Sequence, residues 1–395
     1  MKMTTPSMML AAMAAVFFMS EVHAQTSYQD NSGTVHVNGE RSSDEIHISG
    51  GQPGYLAIDF LSNGTGIDYE FRRVTALIVQ SGQGLDIIEI DGIEIDSLTI
   101  DSGLGRPRNG ICDNISVRNS AITGLLSIDA NGTQSGNIVM SNVTATEIQV
   151  GNCDAPRYFN MIQVQAGIVD ITCSGDNIAG QSFNYNYVST LNSLIGSFDF
   201  ASTGSIQNKV HLTGTDVVSV NCRSEGGRAD VQIMNAITNM ISVVGSSGDD
   251  QIKLSGISAD SVELRLEGND GLSNGLGDVV VVEDADFGDF AMEDDKYSTP
   301  GNFTHVDFDN VNVEGDCTFI TNDELTHIYL THVYMPHANS RLRVASSGIG
   351  CRLDRVRGSV NHVHFSGSGL DDSYWRHVGT TGSERLNGIE MSYFY

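Results

Sequence analysis

The chain has 395 residues, with 49 acidic side chains against 21 basic ones and a formal net charge of −28. A negative excess of this size repels polyanions, so it argues against nucleic acid and anionic membrane surfaces as general partners. It favours solubility and the binding of divalent cations, and a solvated acidic surface is its simplest interpretation.

The first 24 residues are predicted to be a secretory signal peptide. Lys2 supplies a short positive segment, residues 8–18 are apolar, and residues 22–24 end in a small side chain at the cleavage position. The apolar run is too short to span a membrane, and no later segment reaches the ~18 consecutive apolar residues of a spanning helix. We therefore expect a mature protein that begins near Gln25 and is secreted or displayed at the cell surface.

A short phrase recurs along most of the chain: an Asp, a spacer, and two β-forming residues on either side of one further position. Copies begin at Asp44, Asp86, Asp113, Asp250 and Asp260, and later variants begin at His305 and His362. Strand-like triplets also recur at roughly ten-residue spacing, separated by Gly, Asn, Asp and Ser. Such self-similarity predicts an all-β solenoid, in which each turn buries its apolar face against its neighbours.

A β-sandwich or β-barrel would also show many short strands. We favour a parallel β-helix because the turns are rich in Asn, Asp and Gly and no linker interrupts the repeats. A right-handed coil is expected from the usual handedness of parallel crossovers. Residues 25–302 are predicted to form the regular solenoid. Residues 303–395, where His and Arg become frequent and strand spacing grows irregular, are predicted to form its last coils and a cap.

Six cysteines follow the predicted signal peptide, and an even number in an exported protein permits disulfides. Cys153 and Cys173 are about one solenoid turn apart, so they are predicted to lie on neighbouring turns and to form one bridge. Cys317 and Cys351 are predicted to form a second. Both bridges would staple the stack of turns.

Residues 82–88 read Gly-Gln-Gly-Leu-Asp-Ile-Ile, and related phrases surround Asp250 and Asp278. This phrase resembles the repeat of RTX proteins, in which glycines allow a tight turn and the Asp binds calcium between stacked turns. The resemblance implies that Asp86, Asp250 and Asp278 are calcium ligands. The copies are scattered here rather than in tandem, and the alternative is that they are turn residues that end a strand.

Residues 283–295 contain seven carboxylates, among them Asp284 and Asp286, and no basic residue. Like charges crowded in this way are unfavourable unless water or cations neutralise them. The segment is therefore predicted to be either a calcium-binding loop or a disordered acidic insertion.

Histidines concentrate in the C-terminal part of the chain. His305 and His327 open similar phrases about one turn apart, and His362 and His364 share a face of a predicted strand. Stacked imidazoles could bind zinc. The simpler interpretation, which we favour, is that His takes the outward polar position that Asp holds in earlier repeats.

The repeat architecture resembles that of the pectin-lyase-like superfamily of right-handed β-helices. Gly248-Asp249-Asp250 is similar to the Gly-Asp-Asp element of polygalacturonases, which implies an acid–base role for Asp249 and Asp250 on a glycosidic bond. The Gly-His-Gly and Arg-Ile-Lys elements of those enzymes are missing. A lyase would instead need calcium or a base, together with arginines that hold a uronate carboxylate, and Arg352 and Arg355 are the candidates.

These observations favour an exported interaction protein that presents a long, repetitive face to a polysaccharide or an extracellular protein, with calcium as a candidate stabilising ion. The alternative is a β-helical polysaccharide lyase or glycoside hydrolase that acts on an acidic polysaccharide. The two differ in one respect, since an enzyme would gather its carboxylates and arginines into one groove.

Overall fold

A computed structural model describes residues 25–394, apart from a series of short segments. The segments left out are 41–42, 61–67, 104–112, 131–135, 154–156, 175–184, 204–206, 226, 246–247, 267–276, 295–302, 322–324, 337–340, 347–348, 359–361, 367–372, 381–382 and 388–390. The predicted signal peptide lies outside the described residues.

The described chain consists of 29 β-strands joined into one sheet. The first strands are β1 Thr26–Gln29, β2 Thr34–Asn38, β3 Glu45–Ser49, β4 Tyr55–Phe60, β5 Asp68–Arg72, β6 Ala76–Gln80, β7 Ile87–Asp91, β8 Glu94–Ile95 and β9 Ser97–Asp101. The central strands are β10 Asn114–Asp129, β11 Gly136–Cys153, β12 Arg157–Ile162, β13 Gln165–Ser174, β14 Tyr185–Leu191, β15 Leu194–Thr203, β16 Gln207–Thr213, β17 Asp216–Glu225, β18 Arg228–Val244, β19 Gln251–Leu266 and β20 Val279–Asp294. The last strands are β21 Phe303–Val313, β22 Cys317–Thr321, β23 Leu325–Met335, β24 Arg341–Ser346, β25 Ile349–Gly358, β26 His362–Ser366, β27 Ser373–Thr380, β28 Ser383–Asn387 and β29 Met391–Phe394.

From β6 onward the strands stack in parallel, each on the equivalent strand of the next turn. Val210 pairs with Val231, Val231 with Ile252, and Ile252 with Val280. Each turn has a first arm and a second arm that meet at a corner, and a connecting segment then leads to the next turn. In β10, β11, β18, β19 and β20 one continuous strand covers both arms. The predicted all-β fold and the parallel solenoid are confirmed.

Alternating side chains explain why these segments form strands. In β4, for example, Leu56, Ile58 and Phe60 are buried while the residues between them are partly exposed. Successive strand residues point to opposite faces, so one apolar row per arm faces the interior. Stacked turns place these rows above one another, and they form a single continuous core.

The corner between the arms is a column of residues with left-handed backbone, a conformation that Gly and Asn adopt at low cost. The column is Gly92, Asn119, Asn142, Gln163, Asn192, Gly214, Asn235, Gly256, Asp284, Asn310 and His332. Neighbouring members are hydrogen-bonded: the Asn142 amide donates to Asn119 Oδ1 at 3.1 Å, and Asn310 donates to Asp284 Oδ1 at 2.6 Å. These side chains therefore lock the bend from turn to turn.

The N-terminal end departs from the parallel pattern. Strand β1 runs antiparallel to β2, β4 runs antiparallel to β3, and β5 runs antiparallel to β4. An open sheet edge would otherwise offer unpaired backbone groups to another chain. The antiparallel strands cover that edge in the first turn.

Parallel pairing continues through the C-terminal part, where β27 pairs with β25 and β29 with β27. Strand β21 pairs with β20, so residues 303–394 extend the same stack. The described residues include no helix with the length and apolar character needed to cross a membrane.

The predicted disulfides are not present among the cysteines that the structure describes. Cys153 and Cys173 are register partners in adjacent turns, as predicted, but Cys173 is a buried thiol. Cys317 is a free buried thiol that pairs in register with Leu342, whereas Cys351 lies in the other arm, opposite Ile328. Cys222 is also free, and its burial raises the pKa of the thiol to about 12. The predicted bridge between Cys317 and Cys351 is wrong, because the number of residues between two cysteines does not reveal which arm of the turn each one occupies.

Candidate functional site

The predicted calcium-binding aspartates lie inside the solenoid. Asp86 and Asp250 have no exposed surface, and Asp278 is 2 % exposed. The Asp250 amide N–H donates to Asp278 Oδ1 at 2.8 Å, and the Asp44 N–H donates to Asp86 Oδ1 at 2.9 Å. Each carboxylate thus accepts from the backbone of the preceding turn, where the first arm begins. These aspartates form part of an interior column that holds successive turns together.

Burial has a large effect on the protonation of this column. Burial raises the pKa of Asp86 to about 7, from its ordinary 3.8. Hydrogen bonds from Ser81 and from the Asp44 N–H oppose the shift, while the nearby carboxylates of Asp113 and Asp44 add to it. The pKa of Asp44 is also raised, again chiefly by burial. The Asp86 carboxyl group is therefore largely protonated at mildly acidic pH.

The structure does not bring together the residues predicted to be catalytic. Asp250 is interior, and Asp249 is 7 % exposed. Arg352 and Arg355 lie in β25, which is four turns further along the stack than the turn of Asp250. At ~4.8 Å a step, the two turns are ~19 Å apart. A buried carboxylate at that distance cannot share a glycosidic bond with the arginines.

The acidic segment from residue 283 is neither a loop nor an insertion as far as Asp294. It is the second half of β20, with Phe287 and Phe290 buried and Asp284 and Asp286 exposed. Most of these carboxylates alternate with core residues, so they point outward and are separated along the strand. Asp294 is the exception, since it is 1 % exposed and accepts a hydrogen bond from the Thr304 hydroxyl at 2.9 Å. The Glu283 carboxylate is 2.9 Å from the Lys253 ammonium. Asp295 lies outside the described residues.

Within the described residues, no group of three or more His, Cys, Asp or Glu side chains is arranged to hold a metal ion. His305 and His327 are register partners, as predicted. Their rings flank Tyr329, with centroids 5.4 Å and 6.2 Å from it. Calcium and zinc binding both stay predictions. The side chains of His362 and His364 lie outside the described part.

The outward face of the first arm carries the most distinctive surface cluster, which the sequence did not reveal. Tyr158 lies edge-on to Tyr185 and Tyr187, with ring centroids 5.3 Å and 6.0 Å apart. The Tyr187 ring lies 5.1 Å from the ring of His211 in the next turn. We call these four residues the tyrosine platform. All four rings are half-buried, so they keep an accessible edge or face.

A charged group borders the platform. Asp230 Oδ1 is 3.7 Å from His211 Nε2, and Asp230 Oδ2 is 3.8 Å from the Lys209 ammonium. The Gln232 amide donates to Asp230 Oδ1 at 3.2 Å. Burial raises the pKa of Asp230, but His211, Gln232 and Lys209 outweigh it and hold the pKa below its ordinary value. The Asp230 carboxylate is therefore ionised next to the aromatic rings.

Aliphatic side chains extend the platform toward the corner. Ile162 and Leu191 end the strands that carry Tyr158 and Tyr187, and they are 37 % and 39 % exposed. Leu194, just past the corner, is 57 % exposed. Ile162 and Leu191 are register partners in adjacent turns, so they add apolar surface beside the rings.

The sequence contains one local signal for the platform. Tyr185, Asn186 and Tyr187 alternate, which places both tyrosines on one face of a strand. Tyr158 and His211 are far away in sequence, and the turns between them differ in length. Their convergence depends on the register between turns, which the sequence alone did not supply.

A second surface feature is a groove of about 250 Å³ on the second arm. It is lined by Ser127, Ile128, Asp129, Gln149, Val150, Gly151, Asp170 and Thr172. It carries no aromatic ring, and the Gln149 amide donates to Glu147 Oε1 at 2.6 Å. The tyrosine platform is therefore the stronger candidate for ligand binding.

No protein-family model, no curated protein and no solved structure matches this chain.

Proposed function

We propose that the protein is an exported polysaccharide-binding solenoid whose ligand lies along the first arm, on the tyrosine platform. The observation that carries this proposal is the group of three tyrosines and one histidine at ring distances of 5.1–6.0 Å on an outward sheet face. Export depends on the predicted signal peptide, and a closer relation to pectin-lyase-like β-helices is part of the proposal at the level of fold.

Sugar chemistry explains why such a surface fits a polysaccharide. A sugar ring has apolar C–H faces, which pack on aromatic rings, and a rim of hydroxyl groups, which need hydrogen-bond partners. The platform supplies the rings, and Asn160, Ser189 and Gln232 alternate with them as half-buried outward polar residues. Several consecutive turns contribute, so the surface suits an extended chain rather than a single sugar.

The test is binding of the purified mature protein to a panel of polysaccharides: cellulose, chitin, pectate and alginate. We expect Tyr158→Ala and Tyr185→Ala each to weaken binding about 10-fold, because each removes an aromatic anchor from the contact. Tyr334→Ala is the matched control, since Tyr334 is 51 % exposed but lies outside the platform.

Affinity for a polysaccharide that is unchanged in both platform variants would remove the platform from the proposal. A wild-type protein that binds none of the four polymers would contradict the proposed function itself.

A further inference from the structure

Gln25, which follows the predicted signal peptide, is held at the N-terminal end of the solenoid by two carboxylates. Its side-chain amide donates to Asp44 Oδ1 at 2.7 Å, and its backbone nitrogen lies 3.4 Å from Glu40 Oε1. Only 6 % of the residue is exposed. The first residues of a domain are usually poorly ordered unless specific contacts tie them down. Gln25 is therefore an integral part of the fold.

The contact with Asp44 places Gln25 at the end of the interior carboxyl column. In that column the Asp44 N–H donates to Asp86 Oδ1, and the Asp86 N–H donates to Asp113 Oδ1. Each of these two carboxylates thus accepts from the turn before it. Asp44 precedes β3, which is the first strand of the first arm in the described stack, so the Gln25 amide takes the place of the donor from an earlier turn. Gln25 caps the column where the repeat begins.

Negative charge gathers at this cap. Burial chiefly raises the pKa of Asp44, and the charge of Glu40 adds to the rise, against hydrogen bonds from the Gln25 amide and the Glu40 N–H. The two carboxylates therefore disfavour each other's ionisation. A cation at the position of the Gln25 backbone nitrogen would offset this repulsion, because it would lie within ion-pair distance of Glu40.

Cleavage of the signal peptide creates such a cation. Hydrolysis of the Ala24–Gln25 peptide bond by a signal peptidase breaks one C–N bond and consumes one water, which leaves a carboxylate on Ala24 and an ammonium on Gln25. An α-amino group has a pKa of about 7.7–8.0, so it is mostly protonated at neutral pH. The charge appears on the same nitrogen that faces Glu40.

We propose that the fold contains a binding site for its own processed N-terminus, in which the Gln25 ammonium pairs with Glu40 while the Gln25 amide caps the column at Asp44. The proposal rests on the predicted cleavage before Gln25 and is independent of polysaccharide binding. The N-terminal turn of the mature chain resists opening more strongly than that of the uncleaved precursor, in which the same nitrogen belongs to an uncharged peptide bond. Cleavage thus completes the end of the solenoid that the antiparallel strands cover.

The experiment compares the mature chain, which begins at Gln25, with the same chain behind a short uncharged extension of Gly and Ser. The extension keeps the Gln25 N–H but removes its charge. Hydrogen exchange of the amides in β1 and β2 measures opening of the N-terminal turn. We expect exchange about 5-fold slower in the mature chain, the effect of one partly exposed ion pair. Amides of a central strand such as β16 should exchange equally in both chains.

The Glu40→Gln variant tests the partner carboxylate. It keeps an oxygen that can accept from the Gln25 nitrogen, so it should abolish the slower exchange of the mature chain and change nothing in the extended one. Glu70→Gln is the matched control, because Glu70 is an exposed carboxylate of β5 in the same end of the molecule, and it should leave exchange unchanged in both chains. Equal exchange in the mature and extended chains would overturn the ammonium site. A Glu40→Gln effect of the same size in both chains would overturn it too, because the carboxylate would then act on the N–H alone.

N-terminal sequencing of the secreted protein tests the cleavage itself. We expect Gln25 as the first residue with a free amine, because an ammonium paired with Glu40 cannot attack its own side-chain amide and expel ammonia to form a cyclic end. A different first residue, or an end blocked by that cyclisation, would contradict the proposal.

Discussion

Two regions of the solenoid fill the same interior position with different chemistry. At the start of the first arm, the N-terminal turns have Asp44, Asp86 and Asp113, whereas the central turns have Asn186 and Asn208. All five residues are at most 5 % exposed. The position therefore accommodates a small polar side chain of either type.

The two regions satisfy their hydrogen bonds differently. A carboxylate can only accept, so Asp113 Oδ1 accepts from the Asp86 N–H at 3.0 Å. An amide can also donate: Asn186 donates to Asn208 Oδ1 at 3.0 Å, and Asn208 donates to Ser224 Oγ at 2.6 Å. The amide column stays neutral at every pH, whereas the carboxyl column can ionise. The comparison predicts that turns with Asp at this position depend on pH through it, whereas the turns of Asn186 and Asn208 do not.

The largest expected effect concerns Asp86→Asn. The folded protein binds the Asp86 proton more tightly than the unfolded chain, since the folded pKa is about 7 against an ordinary 3.8. The contribution is fully present below pH ~4, declines as pH rises toward 7, and is lost above it. The amide stays neutral, so the variant should match the wild type at pH 4 and exceed its unfolding free energy by about 4 kcal/mol at pH 8.

Urea unfolding followed by circular dichroism across this pH range measures the difference. Asp91→Asn is the control, because Asp91 lies in the same turn but is exposed, and it should leave the pH dependence unchanged. Equal pH slopes for the wild type and Asp86→Asn would show that the carboxyl column is not protonated as described.

The reverse exchange, Asn208→Asp, should impose the behaviour of the N-terminal column on the central turns. A carboxylate at this buried position would be ionised at pH 8 between the uncharged side chains of Asn186 and Ser224, and Ser224 would lose its donor. We expect a loss of about 3 kcal/mol at pH 8 and a much smaller loss at pH 4. Asn221→Asp, at an exposed position, is the control for added charge. A loss of the same size at both pH values would mean that lost hydrogen bonding, rather than charge, governs the position.

The repeated phrase predicted the fold but not the environment of its first residue. Asp250 and Asp260 open nearly identical phrases ten residues apart, yet Asp250 is fully buried and Asp260 is exposed. Asp250 follows a connecting segment, whereas Asp260 follows the corner in the middle of β19. Alternation within a strand is local and legible in sequence. The arm to which a strand belongs depends on the bend at corner residues such as Gly256, whose φ is 64°.

The candidate site was missed for the same reason. Recognisable local phrases single out carboxylates such as Asp86, Asp250 and Asp278, and these accept backbone hydrogen bonds inside the solenoid. Tyr187 and His211 are 24 residues apart, and only the pairing of β14 with β16 brings them into contact. Alternating tyrosines indicate a shared face, but which turn lies beside them depends on the lengths of the connecting segments.

The smallest expected effect concerns Ala229, where the central column is interrupted. Ala229 follows Asn208 in register, and its N–H donates to Asp250 Oδ1 at 2.7 Å, but its side chain adds nothing to the column. A narrow cavity borders it, lined in part by Asn208 and Ser224. Ala229→Ser should add one hydrogen bond there and raise the unfolding free energy by about 1 kcal/mol at both pH 4 and pH 8.

Ala285→Ser is the control, because Ala285 lies among apolar residues such as Val311. Its hydroxyl would be buried without a polar lining, so this variant should lower the unfolding free energy. Similar losses in both variants would show that the cavity is too tight for a hydroxyl, and that the interruption at Ala229 is a matter of packing rather than of an unused polar position.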